Sequence, residues 1–348
     1  MRSNAVEGRP PLLVTLGEPA GIGPDVVLSA WLSGRMPEPD RGPVAAFVVI
    51  GDADALSARS RRLGLEVPIS VVGTPEEGRS AFRQALPVLH RPLSAPPVAG
   101  RPDPANAPAV LAAIEEAVSM VRSGRGAAVV TGPIHKKTLY DGGFTFPGHT
   151  EYLAALAGPG AKPVMMLASP QLRVVPVTVH LPLRGAVEAL STDGIVTAAR
   201  TTAAALAGDF GIAAPRLAVA GLNPHAGEDG ALGREELDII APALAHLHRQ
   251  GITVAGPVPP DALFTPSMRD SYDAAICMYH DQALIPLKAL DFDGGVNVTL
   301  GLPFVRTSPD HGTALDIAGS GIARPDSLIA ALRLAAEISA RRSTAGMA

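Results

Sequence analysis

The chain has 348 residues, of which 47% are hydrophobic and 18% charged, with a formal net charge of -4. That is ordinary globular composition, enough for about two domains and too apolar for a disordered chain. The acidic balance argues against nucleic acid as the main partner, and no apolar run approaches the ~18 residues needed to span a bilayer.

The N-terminus, with Arg2, Glu7 and Arg9, lacks the apolar core of a signal peptide. A single cysteine, Cys277, excludes an internal disulfide and points to a reducing compartment, the cytoplasm. In chain order, PLLVTL (11–16) reads as a buried strand, and Gly21-Ile22-Gly23-Pro24-Asp25 opens a helix with Pro24 in its first turn. AAFVVIGD (45–52) is the next strand. ADALSARSRRLGL (53–65) is a helix whose basic face, Arg59, Arg61 and Arg62, is expected to be solvated. PISVVG (68–73) is a strand, and RPLSAPPVAGRPDPANAP (91–108) has the composition of a linker. The long helix NAPAVLAAIEEAVSMVRSG (106–124) and the strand AAVVTGP (127–133) follow. Alternation of this kind means an α/β fold with a largely parallel sheet.

From about residue 131 the strand-like runs end in polar, chemically useful residues: LRVVPVTVH (172–180), RLAVAGLNPH (216–225) and AAICMYHDQ (274–282). Helices intervene at 191–211 and 233–251, GPVPPDALF (256–264) reads as a loop, and 327–343 is a terminal helix. Cys277, inside an apolar strand, reads as a small buried hydrophobe rather than a nucleophile.

His180, His225 and His280 each stand at the carboxyl end of an apolar run. Ligands of open α/β sheets bind beyond those ends. Three neutral imidazoles suit a borderline divalent metal such as Zn²⁺ and leave a coordination position open. The competing reading is three hydrogen-bonded loop histidines. His90, His246 and His248 read as surface residues. His149 follows a glycine, and Thr150 is expected as the N-cap of the next helix, whose start would attract an anion or simply be a capping turn. GEPAGIGPD (17–25) is glycine-rich but not a dinucleotide fingerprint. Lys288, Asn297 and Arg306 sit in mostly apolar surroundings, where a cation needs an anionic partner, either a substrate group or an internal carboxylate.

The blocks TLGEPAGIGPD, TGPIHKKTLYDGGFTFPGHTEY, TVHLPLR, GLNPHAGEDG, MYHDQALIPLK and GVNVTLGLPFVRTSPDHGTALDIAG, spanning residues 15 to about 321, together resemble the 4-hydroxythreonine-4-phosphate dehydrogenase family. These are NAD-dependent enzymes of pyridoxal 5′-phosphate (vitamin B6) biosynthesis. The resemblance implies a two-domain isocitrate/isopropylmalate dehydrogenase-like α/β fold with mostly parallel sheets. It implies a nucleotide-binding-side domain over 1–130 and 295–348, and a metal, substrate and dimerisation domain over 131–294. It implies metal ligation by His180, His225 and His280 across a homodimer interface, with Zn²⁺ first and Mg²⁺ or Co²⁺ as alternatives. It implies substrate binding by His149, Thr150, Lys288, Asn297 and Arg306, and contact of the 310–319 loop with NAD, or with NADP in its place. The general base and the individual cofactor contacts stay unassigned. The implied reaction oxidises 4-phosphooxy-L-threonine at C3 and then decarboxylates it to 3-amino-2-oxopropyl phosphate. Alternatives on the same scaffold are a D-threonate or D-erythronate 4-phosphate dehydrogenase and a cis-dihydrodiol dehydrogenase. A non-catalytic metal- or nucleotide-binding protein is the alternative of another class. One departure is visible: Ala283 stands where glycine is expected after the third histidine.

Overall fold

The computed structural model describes residues 9–35 and 44–345. Arg2 and Glu7, read above at the N-terminus, lie outside them. The chain divides into two compact units, 1–162 with 302–339, and 163–301 with 340–348. Strands β1 (Leu12–Thr15), β2 (Phe47–Gly51), β3 (Ile69–Val71), β4 (Leu86–His90) and β5 (Val129–Thr131) belong to the first unit. Strands β6 (Val164–Ala168), β7 (Arg173–Thr178), β8 (Arg216–Ala220), β9 (Thr253–Val258), β10 (Ala274–Tyr279) and β11 (Val296–Leu300) belong to the second, and β12 (Arg306–Pro309) returns to the first.

In the first unit the strand order is β3-β4-β2-β1-β5-β12, and every pairing is parallel. The strands carry nearly unbroken apolar runs because helices cover both faces. At the carboxyl edge Thr15 pairs with Thr131, and Gly132 N–H donates to the Thr15 carbonyl at 2.7 Å. A side chain at Gly17, whose φ is +69°, would overlap the Pro133 carbonyl, so only glycine lets the two turns close on one another. Residues 131–162 pack with this unit, unlike the sequence-based division at 130. The reason is local: Leu139, Phe144, Tyr152 and Leu153 join Leu13, Ile114 and Val118 in one hydrophobic core. Tyr152 Oη also donates to Glu115 Oε1 at 2.7 Å, on the helix Ala107–Arg122. The linker-like segment 91–108 likewise stays within the first unit, tied back by paired hydrogen bonds between Ala95 and the buried Asn106 side chain.

In the second unit the order is β11-β6-β7-β10-β8-β9. β6 runs antiparallel to both β7 and β11, while β7, β10, β8 and β9 are parallel. The core here is built from Leu167, Val174, Ala218, Ile276's neighbour Cys277, Leu284 and Leu287, among others. β9 contains Gly256 and Pro257, which read as loop from sequence. As the last strand in the order it has a free edge, where a missing N–H does no harm. Ala283 is fully buried within the helix His280–Leu290, where alanine is a better residue than glycine. No helix among the described residues is long and apolar enough to cross a membrane.

The basic face of the helix Ala53–Arg62 is not wholly solvated. Arg59 is buried, and its Nη1 donates to Asp25 Oδ2 at 2.8 Å and to the Gly21 carbonyl at 3.0 Å. Its Nη2 donates to the Pro19 carbonyl at 3.2 Å, and Gly319 N–H donates to the same Asp25 oxygen at 3.1 Å. One ion pair therefore holds the glycine-rich turn, a helix and the late 310–319 loop together. Arg59→Ala would strand the Asp25 carboxylate in the interior, and unfolding free energy measured by urea denaturation should fall by about 3–5 kcal/mol. A loss at the level of an exposed pair, below ~1 kcal/mol, would show that the pair does not organise this region.

Candidate functional site

β10 lies between β7 and β8, parallel to both, with Tyr279 opposite Thr178 and Ile276 opposite Val219. The three carboxyl ends therefore open on the same edge of the second unit. His280 follows β10 directly as the first residue of the helix His280–Leu290, and His180 lies just beyond β7. Their rings are tilted by 37° with centroids 6.2 Å apart. Thr178 Oγ1 donates to the Met278 carbonyl at 2.8 Å and locks the two strand ends. His280 Nδ1 lies 2.7 Å from Asp281 Oδ1, an arrangement that orients an imidazole and leaves its other nitrogen for a ligand.

His225 follows β8 in an unusual loop. His225, Ala226, Gly227, Glu228 and Asp229 all have positive φ, between 42° and 82°. Non-glycine residues avoid that region, and a run of them persists only when surroundings hold it. Glu236 is the main restraint. Its Oε1 accepts from Leu222 N–H at 2.8 Å and Asn223 N–H at 2.7 Å, and its Oε2 accepts from Asn223 Nδ2 at 2.9 Å. Burial pushes the Glu236 carboxyl up, but these hydrogen bonds outweigh it and hold its pKa below the ordinary range. On the other side Gln282 Nε2 donates to the Gly221 carbonyl at 2.7 Å, while its Oε1 accepts from Met278 N–H at 2.6 Å. Gln282 thus ties the end of β8 to the end of β10.

Among the described residues, no group of three or more His, Cys, Asp or Glu side chains is placed to hold a metal ion. The fold delivers His180, His225 and His280 to one edge and brings His180 and His280 together, but one chain does not close all three around a point. The donor set itself, imidazoles on fixed backbone with a carboxylate behind one of them, fits a borderline divalent cation. The loops and helices around these histidines also expose large apolar side chains: Leu181, Leu183, Leu232, Leu237, Ile285 and Phe292.

A second cluster lies in the first unit. Arg306, at the start of β12, is buried and donates from Nη2 to Thr131 Oγ1 at 2.7 Å, with His149 Nδ1 at 3.4 Å. Burial lowers its guanidinium to about 10, so it remains charged at neutral pH. His149 begins the helix His149–Ala157, and its Nε2 is enclosed with no hydrogen-bond partner. Burial, then the nearby Arg306 and Lys136 charges, push the His149 imidazolium well below its usual pKa and keep the ring neutral. The N-cap is Gly148, not Thr150, and it makes no side-chain cap, so Thr150 lies inside the first turn.

Lys288 and Asn297 are half-buried in the second unit, on the helix His280–Leu290 and on β11; the Lys288 ammonium lies 5.9 Å from the Phe292 ring centre. The 310–319 loop is fastened to the first unit through Ile22 N–H to the Thr313 carbonyl and Gly319 N–H to Asp25. Beside the carboxyl ends of β1 and β2 a cavity of about 550 Å³ is lined by Gly17, Asp52, Arg62 and Pro97, a volume suited to a small ligand. Cys277 is fully buried and burial pushes its thiol up, which removes it as a nucleophile. His90 is not a simple surface residue, since its Nδ1 accepts from Ala53 N–H at 3.1 Å. Glu236, Gln282 and Thr131 carried no spacing signal in the sequence, because the partners that give them their roles lie in other segments.

The family model for the pyridoxal phosphate biosynthetic protein PdxA matches residues 43–335. A 4-hydroxythreonine-4-phosphate dehydrogenase of Caulobacter vibrioides is 54% identical over 337 residues, covering 95% of this chain and 98% of that protein. One from Bradyrhizobium diazoefficiens is 53% identical over 344 residues, covering 96% and 98%. The crystal structure of the Klebsiella pneumoniae 4-hydroxythreonine-4-phosphate dehydrogenase superposes with a TM-score of 0.82 at 36% identity, covering 95% of this chain and 99% of that one. A terephthalate 1,2-cis-dihydrodiol dehydrogenase from Burkholderia xenovorans superposes with a TM-score of 0.61 at 28% identity, covering 94% and 98%. With near-complete coverage in sequence and in structure, the chain belongs to the PdxA family of pyridoxal phosphate biosynthetic proteins.

Proposed function

We propose that the chain is a 4-hydroxythreonine-4-phosphate dehydrogenase of pyridoxal 5′-phosphate biosynthesis. It oxidises 4-phosphooxy-L-threonine at C3 with NAD⁺, and the β-keto acid then loses CO₂ to give 3-amino-2-oxopropyl phosphate. The two electrons leave C3 as hydride, the hydroxyl proton is released, and C2 regains a proton after decarboxylation. The observation that carries the reading is the delivery of His180, His225 and His280 to one edge by three adjacent parallel strands. When bound, the divalent metal supplies Lewis acidity at the C3 oxygen and NAD⁺ supplies the hydride acceptor. Zn²⁺ suits the imidazole set best, with Mg²⁺ or Co²⁺ as alternatives, and NADP is the alternative acceptor. The lone buried Cys277 fits a cytoplasmic protein.

The chain's own residues bind and orient. Arg306 holds a permanent charge in a desolvated position, where attraction to a phosphate or carboxylate is strong. With Nδ1 of His149 turned to Arg306, its Nε2 carries the proton and can donate to a substrate oxygen without adding charge. Thr150 lies in the first turn of the same helix, and Lys288 and Asn297 complete the proposed substrate set. A dehydrogenase for D-threonate or D-erythronate 4-phosphate, or for a cis-dihydrodiol, would use the same histidines, and turnover of the substrates side by side separates them. NADH production with added metal tests the non-catalytic alternative.

Because one chain does not close the three histidines around a point, the active unit proposed is a homodimer in which a second copy completes each metal site. The exposed Leu181, Leu183, Ile285 and Phe292 beside those histidines would be covered by that copy. His180→Ala and His280→Ala should each be inactive and bind metal weakly. Mixed and allowed to exchange, they should recover about a quarter of wild-type activity if the two ligands of one site come from different subunits of a twofold dimer. No recovery after demonstrated exchange would mean that each site draws both from one chain.

A second prediction concerns charge recognition. Arg306→Ala and Lys288→Ala should each lower kcat/KM for the phosphorylated substrate where the residue contacts phosphate. A lost charge-assisted hydrogen bond corresponds to about 2–3 kcal/mol, or roughly 30- to 150-fold. The ratio of kcat/KM for phosphorylated over unphosphorylated 4-hydroxythreonine reads this directly. An unchanged ratio in both variants would show that neither residue reads the phosphate.

A further inference from the structure

We infer that Glu236 is a positioning residue for His225, acting through the backbone of the loop rather than on the imidazole; the inference rests on the histidine-metal reading above. Three observations converge on it. Glu236 is almost wholly buried, at 3% exposure, yet its carboxylate contacts no cation among its hydrogen-bond partners. Instead it collects two backbone N–H groups and the Asn223 amide, all from the residues that immediately precede His225. Buried carboxylates are costly, so one placed against peptide N–H groups is stable only while that loop keeps its shape, and the loop only while the carboxylate is there.

The second observation is the backbone itself. Four non-glycine residues in succession or nearly so, His225, Ala226, Glu228 and Asp229, sit at positive φ. Each is disfavoured there relative to ordinary conformations. Such a turn does not hold itself. The third is steric. A side chain at Gly227 would come 2.6 Å from Glu236 Oε2, and one at Gly221 would come 3.3 Å from Glu236 Oε1. The glycines leave room for the carboxylate to reach into the turn. Gln282, on the helix that follows β10, closes the arrangement by holding the Gly221 carbonyl, so the Gly221–Asn223 segment is gripped on both its donor and its acceptor sides. A rigid ligand loop binds metal more tightly than a mobile one because less conformational freedom is lost on binding.

Glu236→Gln is the informative variant. Its Oε1 can keep the Leu222 and Asn223 N–H bonds, but its new NH₂ faces the Asn223 Nδ2 donor, so the loop loosens without losing its fold. Glu236→Ala removes every contact. The probe is Co²⁺ titrated into metal-stripped, full-length protein, followed by its visible absorption, with amide hydrogen exchange of residues 221–230 measured in the metal-free state. Affinity should fall in the order wild type, Glu236→Gln, Glu236→Ala, by ~10- to 100-fold overall, as for other residues that support metal ligands from behind. Exchange in 221–230 should rise in the same order, while melting of the metal-free Glu236→Gln variant stays near wild type. Wild-type protein without an imidazole-bound Co²⁺ spectrum would overturn the metal reading and this inference with it. Wild-type binding that Glu236→Gln leaves unchanged in affinity and spectrum would overturn the positioning role alone.

Discussion

Parallel, in-register pairing of β7, β10 and β8 is the constraint on which the candidate site depends. Strands that run parallel end on the same edge, so whatever follows each of them arrives at the same place regardless of sequence distance. Thr178 and Met278, one hundred residues apart, exchange a hydrogen bond for this reason alone. A slip of one residue in either register would turn His180 or His280 to the other face. The strands are enclosed on both faces, with Val174, Val175, Ala275, Ile276 and Cys277 all fully buried, and the Thr178–Met278 hydrogen bond is specific to this register.

The fold class and the main strands were legible because they follow from periodicity and from apolar runs bounded by turn residues. So were the strand-end histidines, since a run such as RLAVA followed by GLNPH announces its own edge. The rest depends on long-range partners. Arg59 looked like one of three arginines on a solvated face; only the fold shows that Asp25, in a distant turn, draws it inside. The strand β9 hid behind glycine and proline because its edge position, not its composition, permits it. Residues 131–162 were assigned by texture to the second half of the chain, but their aromatic side chains pack against the helix Ala107–Arg122 in the first unit. Thr150 matched the chemistry of an N-cap, yet the helix starts two residues earlier than that cap would place it, with Gly148 as the cap.

The two buried arginines of the first unit are held in different ways. The Arg59 guanidinium is spent within the protein, on Asp25 and on the Gly21 and Pro19 carbonyls, and the result is a clamp on three segments. Arg306 donates to the Thr131 hydroxyl and lies beside the neutral His149 ring, and burial lowers its pKa. β12 holds it in register beside β5, with Arg306 opposite Val129. Burial keeps His149 uncharged beside it. The pair is thus one positive charge beside one neutral ring, rather than two cations that would repel each other. The arrangement belongs to the rigid sheet edge, where β12 pairs with β5, more than to the helix start that the sequence had made conspicuous.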